Sequence, residues 1–352
     1  MRSTFFALLI APIGIAAQSL VDQEPHNRTA LLEEFTGIKN GDAPAAHAIS
    51  EQIQQWHPGE VAVVRIHAGF FAVPDDGQPD FRTSWSEDLF AHFAVPFTPT
   101  GVIGRSPLFG SMVQSLDNWS LATDVVLFQA SPVNLGVASA FEPNTRELTV
   151  TIELYYTADA DTTSDFIHVL LTEDHIIGYQ NDANATPPDV LDYDHRHVLR
   201  AYITDLWGDE VTTTLTGSSV IRTYTFTVPD EFDIANCNVV AFVGNYQGAV
   251  HQVKEVAADG GTTEVGIDEA DGSIQLAPAY PQPASERVFI PVPVSMQRSA
   301  LEIRDGQGRL VASKRTTDAI HTFDVSAWPA GVYVYQFIGS EAIVSGRLCV
   351  AH

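Results

Sequence analysis

The sequence predicts an α/β domain at the N-terminus, followed by an antiparallel β-sandwich and a small second β unit. Two apolar, β-prone runs, Leu31–Thr36 and Val61–Phe71, flank the stretch Ala45–Trp56, whose apolar residues have helical spacing. Strand, helix and strand in this order are typical of a βαβ unit. From about residue 131 to residue 256 the apolar residues recur at every second position, as in half-buried antiparallel strands. A chain of 352 residues is also too long for one ordinary core.

The turn after the first predicted strand is laid out like a thioredoxin-type redox site without its sulfur atoms. The strand ends at Glu33–Thr36, a tight turn follows, and a helix is predicted to begin near Pro44. A redox-active relative would carry C-x-x-C here, with the thiolate at the helix N-terminus. This chain has Asn40 and Ala43 at the two positions, and neither can form a thiolate or a disulfide. We therefore expect a thioredoxin-like domain over residues 18–130 without redox activity.

A proline precedes another apolar strand candidate within residues 94–104. In thioredoxin folds the X-Pro bond at this point is cis and faces the turn that carries the cysteines, and Thr98-Pro99 is the predicted counterpart. Asn40, Asp42, Thr98 and Pro99 would then border a polar cleft for an extended peptide. The alternative for Asn40 and Asp42 is a structural role as N-caps of the helix, which we expect to be their main role.

Short strand candidates, separated by Gly, Pro, Asp or Asn, follow in the predicted sandwich over residues 131–256. They are Arg146–Tyr155, Phe166–Thr172, Val198–Thr204, Val220–Val228, Val239–Asn245 and Val250–Val256. Residues 257–276 are small and acidic, which predicts a flexible linker. The strand candidates of the last part, residues 277–352, are Val288–Val294, Ala300–Arg304, Leu310–Ser313, His321–Val325, Gly331–Ile338 and Ala342–Val350.

The N-terminus predicts an exported protein. Residues 1–17 combine Arg2 with a short apolar run that Pro12 interrupts, which is typical of a secretory signal peptide cleaved after Ala17. The run is too short to span a membrane, and no later segment is long and apolar enough to do so. We expect a soluble mature protein with no transmembrane span.

The chain is strongly acidic, with a net charge of −26 and only three lysines, Lys39, Lys254 and Lys314. Such a surface repels nucleic acid and anionic lipid, so neither is an expected partner. A surface of this kind also suits a saline habitat, where salt screens its self-repulsion. The two cysteines, Cys237 and Cys349, fall in different predicted domains. We expect them to be buried small hydrophobic residues rather than a structural bridge.

The segment Asp192–His197 is the most suggestive polar cluster. If the backbone is extended, alternation places His195 and His197 on one face, where they could ligate a metal ion, although two ligands do not complete a tetrahedral site. The favoured alternative is a polar strand entry with ordinary hydrogen bonds, with Arg200 as an internal ion-pair partner. Neither a G-x-S-x-G nor an H-E-x-x-H motif occurs. No catalytic residue and no cofactor are therefore predicted.

Other side chains near the turn are expected to be structural. His47 lies one turn inside the predicted helix, and no candidate nucleophile accompanies it, so a general-base role is not favoured. We expect a satisfied, partly buried histidine there. The aromatic residues expected in the core rather than as ligand platforms are Trp56, Trp85, Trp119, Phe70 and Phe71.

The C-terminal segment contains A-Y-P-Q-P-A-S at 279–285, G-Q-G-R-L-V at 306–311, F-D-V-S-A-W-P-A-G-V-Y-V-Y at 323–335 and G-R-L-C-V at 346–350. In order and content these motifs resemble the C-terminal sorting domain of type IX secretion cargo. The resemblance implies an immunoglobulin-like sandwich that the outer-membrane translocon recognises and that is usually removed on export. The residues that carry the motif are Pro281, Pro283, Gly308, Arg309, Gly331 and Tyr333.

The preceding region resembles the outer-membrane-protein-28-related family of Gram-negative bacteria. The resemblance rests on the L-x-E-E-F-T-G turn through Pro44 and His47, on F-T-P-T-G-V-I-G-R at 97–105, and on the stretches at 170–177 and 193–200. Members combine a thioredoxin-like domain with a β domain and are described as surface proteins or adhesins. The chain departs from the family's cysteine pair at Asn40 and Ala43, which argues against a redox role.

Together these features predict an exported, non-catalytic cell-surface protein that binds a peptide, glycan or protein. The type IX secretion machinery would deliver it through the periplasm to the outer-membrane surface or the extracellular space. The rival class is an enzyme, either a metal-dependent hydrolase that uses His195 and His197 or a remnant thiol–disulfide protein of the cell envelope. A structural component of the envelope is a third alternative.

Overall fold

The computed structural model describes residues 19–263, 279–293, 296, 299–306, 309–317, 320–339 and 343–351. The predicted signal peptide, residues 264–276 of the predicted linker and Gly308 of the sorting motif lie outside the described residues. The described chain is mostly β-sheet, arranged in several sheets. None of its helices is long and apolar enough to cross a membrane.

The N-terminal part alternates strands and helices as the sequence predicts. Its elements are β1 (Ala30–Thr36), α1 (Ala43–Trp56), β2 (Val61–His67), α2 (Ser84–His92), β3 (Thr100–Ile103), β4 (Val113–Gln114) and α3 (Trp119–Leu127). Pro44 lies in the first turn of α1, where its missing N–H costs no helical hydrogen bond. The predicted second strand ends earlier than expected, because Gly69, at a φ of 72°, starts a 3₁₀ turn over Phe70–Ala72.

The central part contains all six predicted strands, with ends within two residues of those expected. Four further strands, β5, β8, β9 and β11, were not predicted. The full set is β5 (Val133–Glu142), β6 (Glu147–Tyr156), β7 (Asp165–Glu173), β8 (Ile176–Asn181), β9 (Asp189–His195), β10 (Val198–Tyr202), β11 (Asp209–Val211), β12 (Ser219–Thr227), β13 (Cys237–Gly244) and β14 (Val250–Ala257).

One nine-stranded sheet contains strands from both the N-terminal and the central part. Its order is β14-β13-β7-β10-β2-β1-β3-β4, with β11 paired to β7. β1 runs parallel to β2 and antiparallel to β3. β10 joins the two parts, since it lies parallel to β2 with Val198 opposite Arg65. The sheet therefore continues across residue 130, where the sequence predicts a domain boundary.

A three-stranded sheet, β12-β6-β5, packs over the β7 and β13 region of the large sheet. β6 buries Leu148, Val150, Ile152 and Leu154 at alternate positions, as its sequence pattern predicts. Residues 257–263, the start of the predicted linker, follow β5 closely: the Ser139 N–H donates to the Gly261 carbonyl at 2.8 Å. Together these contacts close the core of the central part.

The C-terminal part forms two small antiparallel sheets around one core. Its strands are β15 (Arg287–Pro291), β16 (Ala300–Asp305), β17 (Leu310–Arg315), β18 (Ile320–Asp324), β19 (Gly331–Ile338) and β20 (Ile343–Val350). β15 pairs with β18, and the other four form a sheet in the order β17-β16-β19-β20. Leu301, Ile303, Tyr335 and Phe337 are buried between the two sheets.

Candidate functional site

The turn between β1 and α1 is held by Asn40, one of the two residues for which the sequence analysis expects a cysteine in a redox-active relative. Asn40 Oδ1 accepts the backbone N–H of Asp42 at 2.9 Å. Asn40 Nδ2 donates to the Thr98 carbonyl at 2.5 Å and to Thr98 Oγ1 at 3.2 Å. The Thr98-Pro99 peptide bond is cis and lies opposite the turn, as predicted. The Asn40 amide thus links the turn to the loop that contains Pro99.

Asp42 lies at the N-cap position of α1, but its side chain makes no capping hydrogen bond. Its backbone is already near-helical, at φ −91° and ψ −9°, whereas a side-chain N-cap requires a more extended residue. The N-cap prediction is therefore wrong for Asp42. It is partly right for Asn40, whose side chain accepts the Asp42 N–H just before the helix begins.

The β8–β9 hairpin covers one side of this turn. The Asn181 N–H donates to the Ile38 carbonyl at 2.8 Å. Gln180 Nε2 donates to the Asn40 carbonyl at 3.0 Å. The backbone of the turn is thus paired on the hairpin side.

Gly37 packs directly against the segment that follows β2. A Cβ atom on Gly37 would lie 2.5 Å from the carbonyl carbon of Phe71 and 2.6 Å from the Ala72 nitrogen. The Lys39 N–H donates to the Phe71 carbonyl at 2.9 Å. The turn and the Phe71 segment are therefore in backbone contact, which a side chain on Gly37 would disrupt.

Replacing Gly37 with alanine is expected to destabilise the protein by about 1–3 kcal/mol, since backbone atoms must move to admit the methyl group. Urea unfolding of the mature protein measures the change. Gly248→Ala is the matched control, because the nearest atom would lie at an ordinary 3.5 Å from its Cβ. Equal stability of the two variants would contradict the packing described for Gly37.

Three phenylalanine side chains in segments next to the turn are exposed. The exposed fraction is 84% for Phe70, 54% for Phe97 and 40% for Phe71. Phe97 immediately precedes Thr98, and Phe71 lies against Gly37. The expectation that Phe70 and Phe71 belong to the core is wrong, because the 3₁₀ turn after Gly69 carries both residues out of the sheet. The break in the β-prone run at Gly69 was the available sequence signal.

The three tryptophans that were expected in the core differ in how deeply they are buried. Trp119 is fully buried, as predicted, and Trp85 is partly buried against the core. Trp56 is 54% exposed, contrary to prediction. It is the last residue of α1 and is not among the residues that this helix buries.

A buried ion pair lies beneath the turn and links β1, α1 and β2. Arg65 Nε donates to Glu34 Oε2 at 3.3 Å, and both side chains are almost completely buried. Arg65 Nη2 also donates to Ser50 Oγ at 3.3 Å, to the His47 carbonyl at 3.1 Å and to Glu51 at 3.1 Å. Burial raises the pKa of Glu34, and Arg65 offsets only part of this effect. The network fixes the start of α1 against the sheet.

His47 is a satisfied histidine, as predicted, although it is fully rather than partly buried. Its Nδ1 lies 2.8 Å from the Tyr193 hydroxyl, and its Nε2 lies 3.1 Å from Thr36 Oγ1. Burial, together with the charge of Arg65, lowers the pKa of His47 well below its ordinary value. Tyr193 comes from β9, far along the chain from His47. No local sequence pattern indicates that these two side chains meet.

His195 and His197 do not share one face of a strand. β9 ends at His195, and His197 has a φ of 54° before β10 begins at Val198, so the assumed extended backbone is wrong. The ring Nε2 of His195 lies 3.2 Å from the Tyr179 carbonyl oxygen. The backbone N–H of His197 donates to Asp174 Oδ1 at 2.6 Å. Among the described residues, no group of three or more His, Cys, Asp or Glu side chains could hold a metal ion.

Two further expectations are confirmed. Arg200 forms an internal ion pair with Glu173 at 3.1 Å and lies over the Phe232 ring at 4.1 Å. Cys237 and Cys349 are free and buried. Burial raises the pKa of Cys237 to about 12 and that of Cys349 to about 11, so neither supplies a reactive thiolate at neutral pH.

The sorting-motif residues fall into two groups. Arg309, Gly331 and Tyr333 line one surface cavity of about 630 Å³. Pro281 and Pro283 lie outside this lining, each after a cis peptide bond. The described motif residues therefore do not all line this cavity.

Two family models match the chain. The model of the outer membrane protein Omp28 family matches residues 87–260, and the model of the secretion system C-terminal sorting domain matches residues 278–351. The chain carries an Omp28 segment and a type IX sorting domain. The Omp28 segment begins within α2, so the turn at Asn40 lies outside it. The sorting domain implies interaction with the secretion machinery and export to the outer-membrane surface or the extracellular space.

Comparison with solved structures supports the overall fold. HBP35 of Porphyromonas gingivalis superimposes with a TM-score of 0.53 at 17% sequence identity, over 93% of this chain and 99% of that one. A domain of the outer membrane lipoprotein Omp28 from the same organism is 22% identical, over 37% of this chain and 89% of that one, with a TM-score of 0.25. A protein of Agrobacterium tumefaciens is 12% identical, over 66% of this chain and 96% of that one, with a TM-score of 0.41. No curated protein matches the chain.

Proposed function

We propose that this exported protein is a non-catalytic binding protein built on a thioredoxin-like scaffold, with an immunoglobulin-like sorting domain. The strand order β2-β1-β3-β4, with a parallel and then an antiparallel pair, supports the thioredoxin-like assignment. The hydrogen bonds from Asn40 to Thr98, which hold the proline loop opposite the turn, support it further. The two antiparallel sheets around one core support the immunoglobulin-like assignment for the sorting domain.

The chemistry of the turn supports a binding role rather than catalysis. Asn40 and Ala43 cannot exchange disulfides, and Asn40 is committed to hydrogen bonds within the protein. His47 has a hydrogen-bond partner at each ring nitrogen and is sealed from solvent. A general base needs access to the proton that it removes, and this imidazole has none.

The exposed rings of Phe70, Phe71 and Phe97 carry the proposal. Burying a phenylalanine side chain stabilises a fold by about 2 kcal/mol. Three phenylalanine rings that stay exposed near one turn do not contribute this stabilisation. Phe70 and Phe71 form one exposed aromatic pair, with ring centroids 5.3 Å apart, and exposed apolar surface of this kind marks an interaction site. We propose that the rings receive the apolar side chains of an extended peptide that lies along the proline loop, on the side that the β8–β9 hairpin leaves open.

A displayed library of linear peptides, selected on the mature protein, tests this function. Phe70→Ala/Phe97→Ala is expected to weaken binding of the selected peptides by at least about tenfold, as expected for aromatic residues at the centre of an interface. The matched control is Leu215→Ala/Ile221→Ala, which removes apolar side chains that are 66% and 60% exposed in the β12 region. The proposal fails if no peptide is enriched, or if the control weakens binding as much as the phenylalanine variant.

A further inference from the structure

The C-terminal domain contacts the rest of the chain through Arg347 on β20. Arg347 Nη2 donates to the Trp56 carbonyl at 2.8 Å. This carbonyl belongs to the last residue of α1, where helical carbonyls lack an internal partner and the helix dipole favours a cation. Arg347 Nη1 lies against His57 Nδ1 and is 3.7 Å from Glu60 Oε2. The guanidinium therefore meets three acceptors of the N-terminal part.

A buried carboxylate prepares His57 to accept this contact. His57 Nε2 lies 3.3 Å from Asp124 Oδ1 on α3, and the two side chains are only 4% and 6% exposed. A proton on Nε2 can be donated to the carboxylate, which leaves the Nδ1 lone pair free to accept from Arg347. The cluster thus offers two acceptors, the His57 imidazole and the Glu60 carboxylate, to the guanidinium of Arg347. Such a site suits arginine, whose donors lie in one plane.

Part of the contact between the two parts is open. A cavity of about 450 Å³ lies there, lined by Glu60, Asp124 and Phe128 on one side and by Val334, Ser345 and Arg347 on the other. Loosely packed contacts contribute little binding energy, whereas a desolvated charged group at a formed site can contribute most of it. Arg347 is therefore the candidate anchor between the two parts.

We propose that the C-terminal end of α1, with His57, Glu60 and Asp124, is a guanidinium-binding site, and that the C-terminal domain docks there by inserting Arg347. The docked arrangement holds the domain against the end of α1 and against α3. Because the chain as a whole is acidic and Arg347 is basic, opposite charges meet at this contact.

The test is Arg347→Ala in the mature full-length protein, followed by small-angle scattering and hydrogen exchange. We expect an increased radius of gyration and about tenfold faster amide exchange at the end of α1, the factor that corresponds to losing one charge-assisted hydrogen bond. Arg315→Ala removes an exposed arginine of the same domain and is expected to leave both measurements unchanged. Circular dichroism confirms that each variant is folded.

Glu60→Arg tests the site from the other side. Glu60 is 51% exposed, so the replacement is tolerated by the fold, and the new cation repels Arg347. We expect the same expansion in scattering as for Arg347→Ala. Wild-type-like scattering of both variants, or an equal expansion in Arg315→Ala, would overturn the proposed docking site.

Discussion

Replacing Arg105 with methionine is expected to destabilise the protein by about 3–5 kcal/mol, because it leaves a buried carboxylate without its partner. Arg105 and Glu33 are each only 1% exposed. Arg105 Nε and Nη2 donate to the two oxygens of Glu33 at 2.9 and 2.6 Å, and Nη2 also approaches the Tyr202 hydroxyl at 3.3 Å. Burial alone would lower the pKa of Arg105, but the charge of Glu33, the Tyr202 hydroxyl and the hydrogen bonds to both together outweigh it and raise that pKa.

Urea unfolding of three variants isolates this effect. The double variant Glu33→Leu/Arg105→Met removes both charges and is expected to recover most of the stability that Arg105→Met loses. Arg82→Met is the matched control, since Arg82 pairs with Asp80 at the surface, and is expected to change the stability by less than about 1 kcal/mol. A double variant that is no more stable than Arg105→Met would contradict the assigned role of the pair.

The protein is also expected to lose stability in acid. His195 is expected to contribute about 2 kcal/mol of this loss between pH 7.5 and pH 5. His195 is 1% exposed and packs against the rings of Phe81 and His67 at 4.8 and 5.9 Å. Burial lowers its pKa to about 4, whereas a histidine in the unfolded chain has a pKa of about 6.5. Because the unfolded state takes up the proton first, the contribution is complete above pH 6.5 and is lost as the pH falls towards 4.

The measurement is the difference in unfolding free energy between pH 7.5 and pH 5 for wild type and for His195→Gln. The variant is expected to lose about 2 kcal/mol less than wild type over this interval. Buried carboxyl groups with raised pKa values, such as Glu34, Asp124 and Glu255, act in the opposite direction and cancel in the comparison. An identical pH dependence of wild type and His195→Gln would refute the prediction.

Local patterns were sufficient to predict the frame of the site. Apolar spacing identified β1, α1 and β2, and the proline at position 99 identified the segment opposite Asn40. Alternation located six strands of the central part, because each buries one face. These features are encoded within a few consecutive residues, where the period of the backbone and the chemistry of proline act directly.

The contacts that complete the site could not be predicted in this way. The β8–β9 hairpin covers the turn from a distance of about 140 residues along the chain, and Tyr193 reaches His47 across a similar separation. The φ of 54° at His197 interrupts the strand at a residue that has no turn signature. The exposure of Phe97 depends on which surfaces the rest of the fold leaves uncovered, and no local sequence pattern indicates that.

The shared sheet has a kinetic consequence. The hydroxyl of Thr29, beside the first strand, exchanges hydrogen bonds with the backbone of Val253 at 2.7 Å in both directions, and Gln252 Nε2 donates to the Asn27 carbonyl at 2.8 Å. The N-terminal end of the first strand is therefore secured by β14, the last strand of the same sheet to be synthesised. Pairings between segments so far apart form slowly, so the chain should remain incompletely ordered until Val253 has emerged and then close as a unit.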